Sequence, residues 1–231
     1  MYTIAHIENN YTEKFAVPRQ SGLVNEVVSR IIFEPGFRVA EAIRGMEGFS
    51  HLWIIWVFSE AKRRGGTEEC DWKPTVRPPR LGGNERLGVF ATRSPFRPNP
   101  IGLSCVELVK VEENTPCGPV ITVKGADLMN GTPILDIKPY IPYADCRPDA
   151  RGGFTDEKEF EKTVVNIPEE FAKILGNDKV LQLKALLEQD PRPAYQREQE
   201  RTYTFKFSEY DVSFRAKGRE LTVENIEKLP E

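Results

Sequence analysis

Arg93, Ser94, Arg97 and Asn99 stand close together in the run GVFATRSPFRPNPIGLS, Gly88 to Ser104, on a backbone stiffened by Pro95, Pro98 and Pro100. Proline holds φ near about −65° and removes a donor, so this run is neither a helix interior nor a central strand. Two guanidinium groups beside Thr92, Ser94 and Asn99 on a stiff loop can recognise a carboxylate or phosphate with little ordering cost. Apolar segments flank the loop, Gly88-Val89-Phe90-Ala91 before it and Ile101 to Val106 after it, which predicts an ordered loop between strands rather than a solvated linker. Two further segments combine stiff backbone with polar groups, Pro18-Arg19-Gln20 and the stretch Leu128-Met129-Asn130-Gly131-Thr132-Pro133 leading into Leu135-Asp136-Ile137-Lys138-Pro139-Tyr140. Asp136 and Lys138 share a strand face by the period of two, and Pro139 presents Tyr140. A carboxylate beside an aromatic ring can bind an exocyclic amine and stack its base. A paired surface Asp and Lys with a rim tyrosine accounts for the same residues equally well.

The elements that must hold these segments read as short strands. Tyr2–Asn9, Val27–Phe33, Leu87–Ala91, Ile101–Glu112, Val120–Lys124 and Pro133–Ile137 are apolar or β-branched runs between turn signals such as Asn130-Gly131. Leu52–Phe58 is continuously apolar, as for a strand covered on both faces. Apolar residues at Phe37, Ala40, Ile43 and Met46 predict one short helix. Ala61–Gly83 lacks periodicity and reads as a long functional loop. Many strands with one helix predict a mainly β fold, a closed or nearly closed β-barrel over residues 1–150. Beyond it, Pro168-Glu169-Glu170 opens a helical pattern through Leu187, Asp190-Pro191-Arg192-Pro193 stops it, and strands follow at Thr202–Phe207, Val212–Ala216 and Glu220–Val223. Residues 151–231 thus form a small C-terminal α+β domain.

Composition narrows the chemistry. The 231 residues are 39% hydrophobic and 29% charged, a globular balance. No apolar run is long enough to span a bilayer, and no secretory leader is visible, so a cytoplasmic location is expected. The four cysteines lack CxxC spacing and read as reduced thiols, and with only two histidines a metal site is not expected. Neither histidine falls in a nucleophile signature, His51 reads as a strand-end packing residue, and the Walker and dinucleotide glycine loops are absent. The net charge is −3, yet residues 61–103 hold nine Lys or Arg against four Asp or Glu. A basic patch on an acidic chain points to a local contact with a polyanion, or to a solvated face paired elsewhere.

Taken together, ATRSPFRPNPIGLS and NGTPILDIKPYIP, preceded by FAVPRQ, FSHLW and PTVRPPRLGG, resemble the TsaA-like family known as TrmO, tRNA N6-methyltransferases. The resemblance covers about Tyr2 to Asp145, and DPRPAY at 190–195 resembles the C-terminal unit of the bacterial members. It implies a β-barrel enzyme dependent on S-adenosyl-L-methionine, homodimeric, metal-free, and acting on threonylcarbamoyladenosine at position 37, next to the anticodon of threonine tRNA. Carried over by motif, the cofactor would touch Pro18, Arg19, Gln20, Ser59, Glu60, Arg93, Leu103, Asn130, Gly131, Thr132 and Pro133. The family often has His-Gln where Ser59-Glu60 stands, and Asp-Gly-Thr where Asn130-Gly131-Thr132 stands, which removes a charge. The expectation is that Asp136 and Tyr140 orient the target base while Arg77, Arg80, Arg86 and Arg97 serve the RNA backbone or the threonyl group. The competing class is a non-catalytic RNA- or nucleotide-binding barrel, which explains the arginines but gives no reason for a second rigid turn and DIKPY.

Overall fold

The computed structural model describes residues 1–58, 72–78, 81, 85–156, 161–192 and 200–230. Its chain closes a six-stranded antiparallel barrel in the order β1-β2-β7-β6-β3-β8. These strands are β1 (Ala5–Glu8), β2 (Val28–Phe33), β3 (His51–Val57), β6 (Ile101–Thr115), β7 (Gly118–Lys124) and β8 (Pro133–Pro139). β4 (Thr75–Val76) and β5 (Leu87–Gly88) pair only with each other. The predicted mainly β barrel is therefore present and closed, each of its six strands pairing with a neighbour on either side. Alternate residues point inward: Ile7, Ile31, Leu52, Ile54, Val106, Ile121, Val123 and Ile134 pack in the lumen with Trp56 and Leu128.

Three local expectations are corrected. The helix expected over Phe37–Met46 is instead a chain of three single 3₁₀ turns, Pro35–Phe37, Ala40–Ile43 and Met46–Gly48. Val39 is extended and Gly45 is left-handed at φ 83°, so no run is long enough to nucleate an α-helix. The strand expected over Leu87–Ala91 ends at Gly88 and turns into a 3₁₀ segment, Val89–Ala91. β3, expected to be covered on both faces, buries Leu52, Ile54 and Trp56 but leaves Trp53, Ile55 and Val57 half-buried on the outer face of the barrel.

After α1 (Pro142–Asp145), the remaining described chain builds β9 (Val164–Asn166), α2 (Glu169–Leu175), α3 (Asn177–Glu188), β10 (Arg201–Phe207), β11 (Tyr210–Lys217) and β12 (Glu220–Lys228). The predicted helical stretch is broken by Gly176 at φ 77°. The sheet order is β10-β11-β12-β9, with β9 a parallel edge strand that was not expected from the sequence. This α+β unit has its own core, in which Leu183, Leu187, Phe205, Phe207, Val212 and Phe214 are buried. Tyr11, Val24 and Val27, from the β1–β2 connection, are buried in that same core. Cys105, Cys117 and Cys146 are free thiols, and Cys70 lies outside the described residues. Among the described residues, no helix is long and apolar enough to cross a membrane.

Candidate functional site

The Arg93–Pro100 loop is held by its own hydroxyls. Thr92 Oγ1 donates to Val89 O at 2.9 Å, the Ser94 N–H donates to Thr92 Oγ1 at 3.3 Å, and the Phe96 N–H donates to Ser94 Oγ at 3.2 Å. Arg97 braces the loop from within, donating to Thr92 O at 2.9 Å with its guanidinium 5.8 Å from the exposed Phe90 ring. Such side-chain turns order backbone that proline leaves without donors. Arg93 is thereby aimed away from the loop and donates to Gln20 Oε1 at 2.5 Å, so two of the expected cofactor residues meet.

The outer barrel face brings together a second pair. Ile55 of β3 pairs with Leu103 of β6 on one side and with Asp136 of β8 on the other, so Leu103, Ile55 and Asp136 form one cross-strand row. Adjacent strands lie about 4.8 Å apart, which puts Leu103 and Asp136 about 10 Å from each other. Leu103 is 54% exposed. Asp136 is bonded to Lys138 at 2.8 Å and accepts the Ile137 N–H at 2.9 Å. In the next row Trp53 pairs with Cys105 and Lys138. Tyr140 packs against Trp53 and His51, with ring centroids at 5.8 and 6.1 Å. Desolvation, and then the neighbouring Cys146, hold the Tyr140 phenol above its ordinary range, so at neutral pH it is a donor and a stacking surface rather than a base. Asp145 accepts from the Ile141 N–H at 2.8 Å and from Trp53 Nε1 at 3.0 Å, and these two bonds hold its carboxyl below the usual range.

Between these groups the barrel wall splays. β6 pairs with β7 from Glu107 onward, while β7 ends at Lys124, so the 101–106 stretch of β6 meets loops on that side. The Cys105 N–H donates to Ser21 Oγ at 3.3 Å, and the Gly22 N–H donates to Gly125 O at 2.8 Å. Ser104 Oγ donates to Asp127 Oδ1 and itself accepts from Trp56 Nε1 at 2.9 Å. The indole of Trp56 lies flat over Gly102, where a Cβ would fall 2.2 Å from a ring carbon. Burial pushes the Asp127 carboxyl up, against the pull of the Ser104 hydroxyl, the Ser21 N–H and the Arg93 charge.

Other expected residues do other things. The Asn130-Gly131 turn closes β8 onto β1: Asn130 Oδ1 accepts the Asn9 N–H at 3.0 Å, the Gly131 N–H donates to Ile7 O at 2.8 Å, and Thr132 is buried. Gly131 sits at φ 77°, the conformation that calls for glycine. Pro18 is buried, and Arg19 donates to Arg192 O at 2.8 Å and Asp190 O at 3.4 Å, toward the α+β unit. Pro133 pairs with His6 at the barrel end. Arg77 is exposed, and Arg86 donates to Thr75 Oγ1 at 3.1 Å. Ser59, Glu60 and Arg80 lie outside the described residues. Sequence reasoning missed Asp127, Ser104 and Trp56. A carboxylate in the apolar turn Gly125-Ala126-Asp127-Leu128 was the one available signal.

Two family models cover the chain almost end to end: the tRNA-methyltransferase O N-terminal domain over residues 6–146 and the TrmO C-terminal domain over residues 157–229. The chain belongs to the tRNA-methyltransferase O family. It is 43% identical to the Escherichia coli tRNA (adenine(37)-N6)-methyltransferase, over 92% of this chain and 91% of that one. It is 39% identical to RcsF of Pseudomonas aeruginosa, described as a candidate S-adenosylmethionine-dependent methyltransferase, over 90% and 89% of the two chains. The crystal structure of TrmO from P. aeruginosa superposes with a TM-score of 0.74 at 32% identity, covering 98% of this chain and 95% of that one. The donor set of this tRNA-methyltransferase O chain fits S-adenosylmethionine. Arg93 and Gln20 offer N–H groups to a carboxylate, Asp127 lies beside them, and Leu103 offers an apolar surface.

Proposed function

We propose that the chain is an S-adenosylmethionine-dependent tRNA methyltransferase that methylates N6 of threonylcarbamoyladenosine at position 37 of threonine tRNA. In this reading it acts as a cytoplasmic homodimer, with residues 1–150 carrying the reaction and residues 151–231 forming the second unit. The observation that carries it is the outer-face row Leu103–Ile55–Asp136, in which Leu103 of β6 and Asp136 of β8 flank Ile55 of β3, on a barrel of this family; it supports a methyl-donor surface on one side and a base-orienting carboxylate on the other. The cofactor supplies an electrophilic methyl group on a sulfonium.

Arg93 and Gln20 hold the donor's carboxylate, and Leu103 lies against its apolar edge. Arg19 and Pro18 shape the loop that carries Gln20. The turn Asn130-Gly131-Thr132-Pro133 contributes backbone groups, and Ser59-Glu60 complete the donor set from outside the described residues. Asp136 and Tyr140 orient the target base, the carboxylate toward N6 and the ring as a stacking face. Displacement at a methyl carbon is dominated by alignment, so positioning is the work these two residues do. Arg77, Arg80, Arg86 and Arg97 serve the RNA backbone or the threonyl group, and binding should weaken as salt rises. The anticodon loop already presents unstacked bases, which lowers the cost of reaching position 37.

The test is radiolabelled methyl transfer from S-adenosylmethionine to threonylcarbamoylated and unmodified threonine tRNA, with cofactor binding followed by calorimetry. Transfer to the modified tRNA is expected. Asp136→Ala should lower turnover by up to about 10²-fold while leaving cofactor binding unchanged. Normal turnover in that variant would remove Asp136 from the site, and failure of transfer to either tRNA would overturn the reading.

A further inference from the structure

Asp127 stands where the β6–β7 pairing stops, bonded to two segments of the donor site and within electrostatic reach of a third. Its carboxylate accepts from Ser104 Oγ, next to Leu103 on β6. It faces the Ser21 N–H, next to Gln20. Arg93, which bonds Gln20 at 2.5 Å, supplies the opposing positive charge. Ser104 is fully buried and is itself oriented by Trp56 Nε1 at 2.9 Å, so this end of the chain of bonds is anchored in the barrel core.

We propose that Asp127 is the positioning residue of the methyl-donor site, fixing Arg93 and the Gln20–Ser21 loop against β6 so that their donors converge on the cofactor's carboxylate. The inference rests on the S-adenosylmethionine reading above. Its physical basis is preorganisation. Arg93 projects from a loop and Gln20 from another, and without a shared anchor each must be ordered when the ligand arrives, at a cost taken from affinity. Asparagine at this position would keep the volume and still accept from Ser104, but would remove the charge that faces Arg93. Burial already opposes the ionised form of Asp127, so a residue kept only for packing would be served as well or better by the neutral amide.

Asp127→Asn therefore separates the two roles. It should fold with an unchanged or raised thermal midpoint, bind tRNA as the unmodified chain does, and bind S-adenosylmethionine about tenfold more weakly by calorimetry, the loss expected for one charge-assisted contact. Arg93→Gln should weaken the same binding. Adding Asp127→Asn to Arg93→Gln should change it no further than about twofold, because the two substitutions remove one shared arrangement. Should Asp127→Asn fail to fold, Ser104→Ala, which removes the hydroxyl that aims Asp127, is expected to weaken cofactor binding in the same direction. Cofactor affinity unchanged in a folded variant, or effects of Asp127 and Arg93 that simply multiply, would overturn the inference alone. If the unmodified chain itself fails to bind S-adenosylmethionine, the methyl-donor reading falls and the inference falls with it.

Discussion

At the scale of single residues, Gly102 carries a demand that its exposed neighbours hide. Ile101 and Leu103 point outward, while Trp56 lies across Gly102 with its Nε1 committed to Ser104 at 2.9 Å. A methyl group there would sit 2.2 Å from the indole, so the ring must leave and take Ser104, and through it Asp127, out of place. Gly102→Ala should cost about 1–3 kcal/mol of stability, as overpacking does, and should weaken S-adenosylmethionine binding as well. Urea unfolding and calorimetry would show it, and an unchanged unfolding midpoint would refute the close approach. The meeting of Arg93 with Gln20 was legible in sequence in so far as stiff backbone and polar side chains coincide in both segments. The partners they use were not. Asp127 gains its role from where the β6–β7 pairing stops, a matter of register that no local pattern encodes. Asn130 and Arg19 read as ligand contacts, yet their side chains bond Asn9 and the backbone of Asp190 and Arg192.

At the scale of elements, period-two alternation made the barrel strands readable, because closing a sheet requires one face of every strand to be apolar. Helical spacing over Phe37–Met46 misled because four apolar residues matched the period while Gly45 broke the backbone. β9 was invisible because a three-residue parallel edge strand carries too few residues to show a period. The junction of α3 with the β10–β11 turn shows how an element is pinned by charge. Lys179 Nζ bonds Glu209 Oε1 at 2.5 Å, and Ser208, left-handed at φ 54°, donates its hydroxyl to the same carboxylate. Together they hold Glu209 at about 2, down from an ordinary 4.5. A carboxyl depressed on folding contributes stability that is fully present above its unfolded value and is lost as pH falls through its folded one. Stability should therefore decline between about pH 4.5 and pH 2 in part through Glu209. In Glu209→Gln this acid slope should be shallower, with somewhat lower stability at neutral pH. Urea midpoints collected across that range would test it, and identical slopes for both proteins would exclude the contribution.

At the scale of the whole molecule, the barrel and the α+β unit share more than a covalent link. The β1–β2 connection leaves the barrel after Glu8, buries Tyr11, Val24 and Val27 in the other unit's core, and returns at Val28. Asn10 Nδ2 donates to Gln182 Oε1 at 2.9 Å, and the Ser208 N–H donates to Asn10 O at 3.2 Å, so the connection is held at several points. On the same connection lie Pro18, Arg19 and Gln20, and Arg19 reaches the carbonyls of Asp190 and Arg192. Those two residues form an ion pair at 2.7 Å that is almost wholly buried, with Arg192 also donating to Gly218 O at 2.7 Å. Removing one member of such a pair strands the other charge away from water, at a cost of about 3–5 kcal/mol, whereas neutralising both is far better tolerated. Arg192→Ala should therefore destabilise the protein by about that amount. Because the Asp190–Arg192 pair fixes the segment whose backbone carbonyls orient Arg19, the variant should also bind S-adenosylmethionine more weakly, although Arg192 belongs to the other unit. Asp190→Asn combined with Arg192→Gln should recover much of the stability, since asparagine tolerates the left-handed backbone that Asp190 adopts at φ 48°. Denaturant unfolding and calorimetry on the two variants would decide the matter. Cofactor affinity untouched in a folded Arg192→Ala protein would mean that the α+β unit does not support the donor loop, and equal destabilisation by the single and double changes would mean that the buried charge is not what the pair controls.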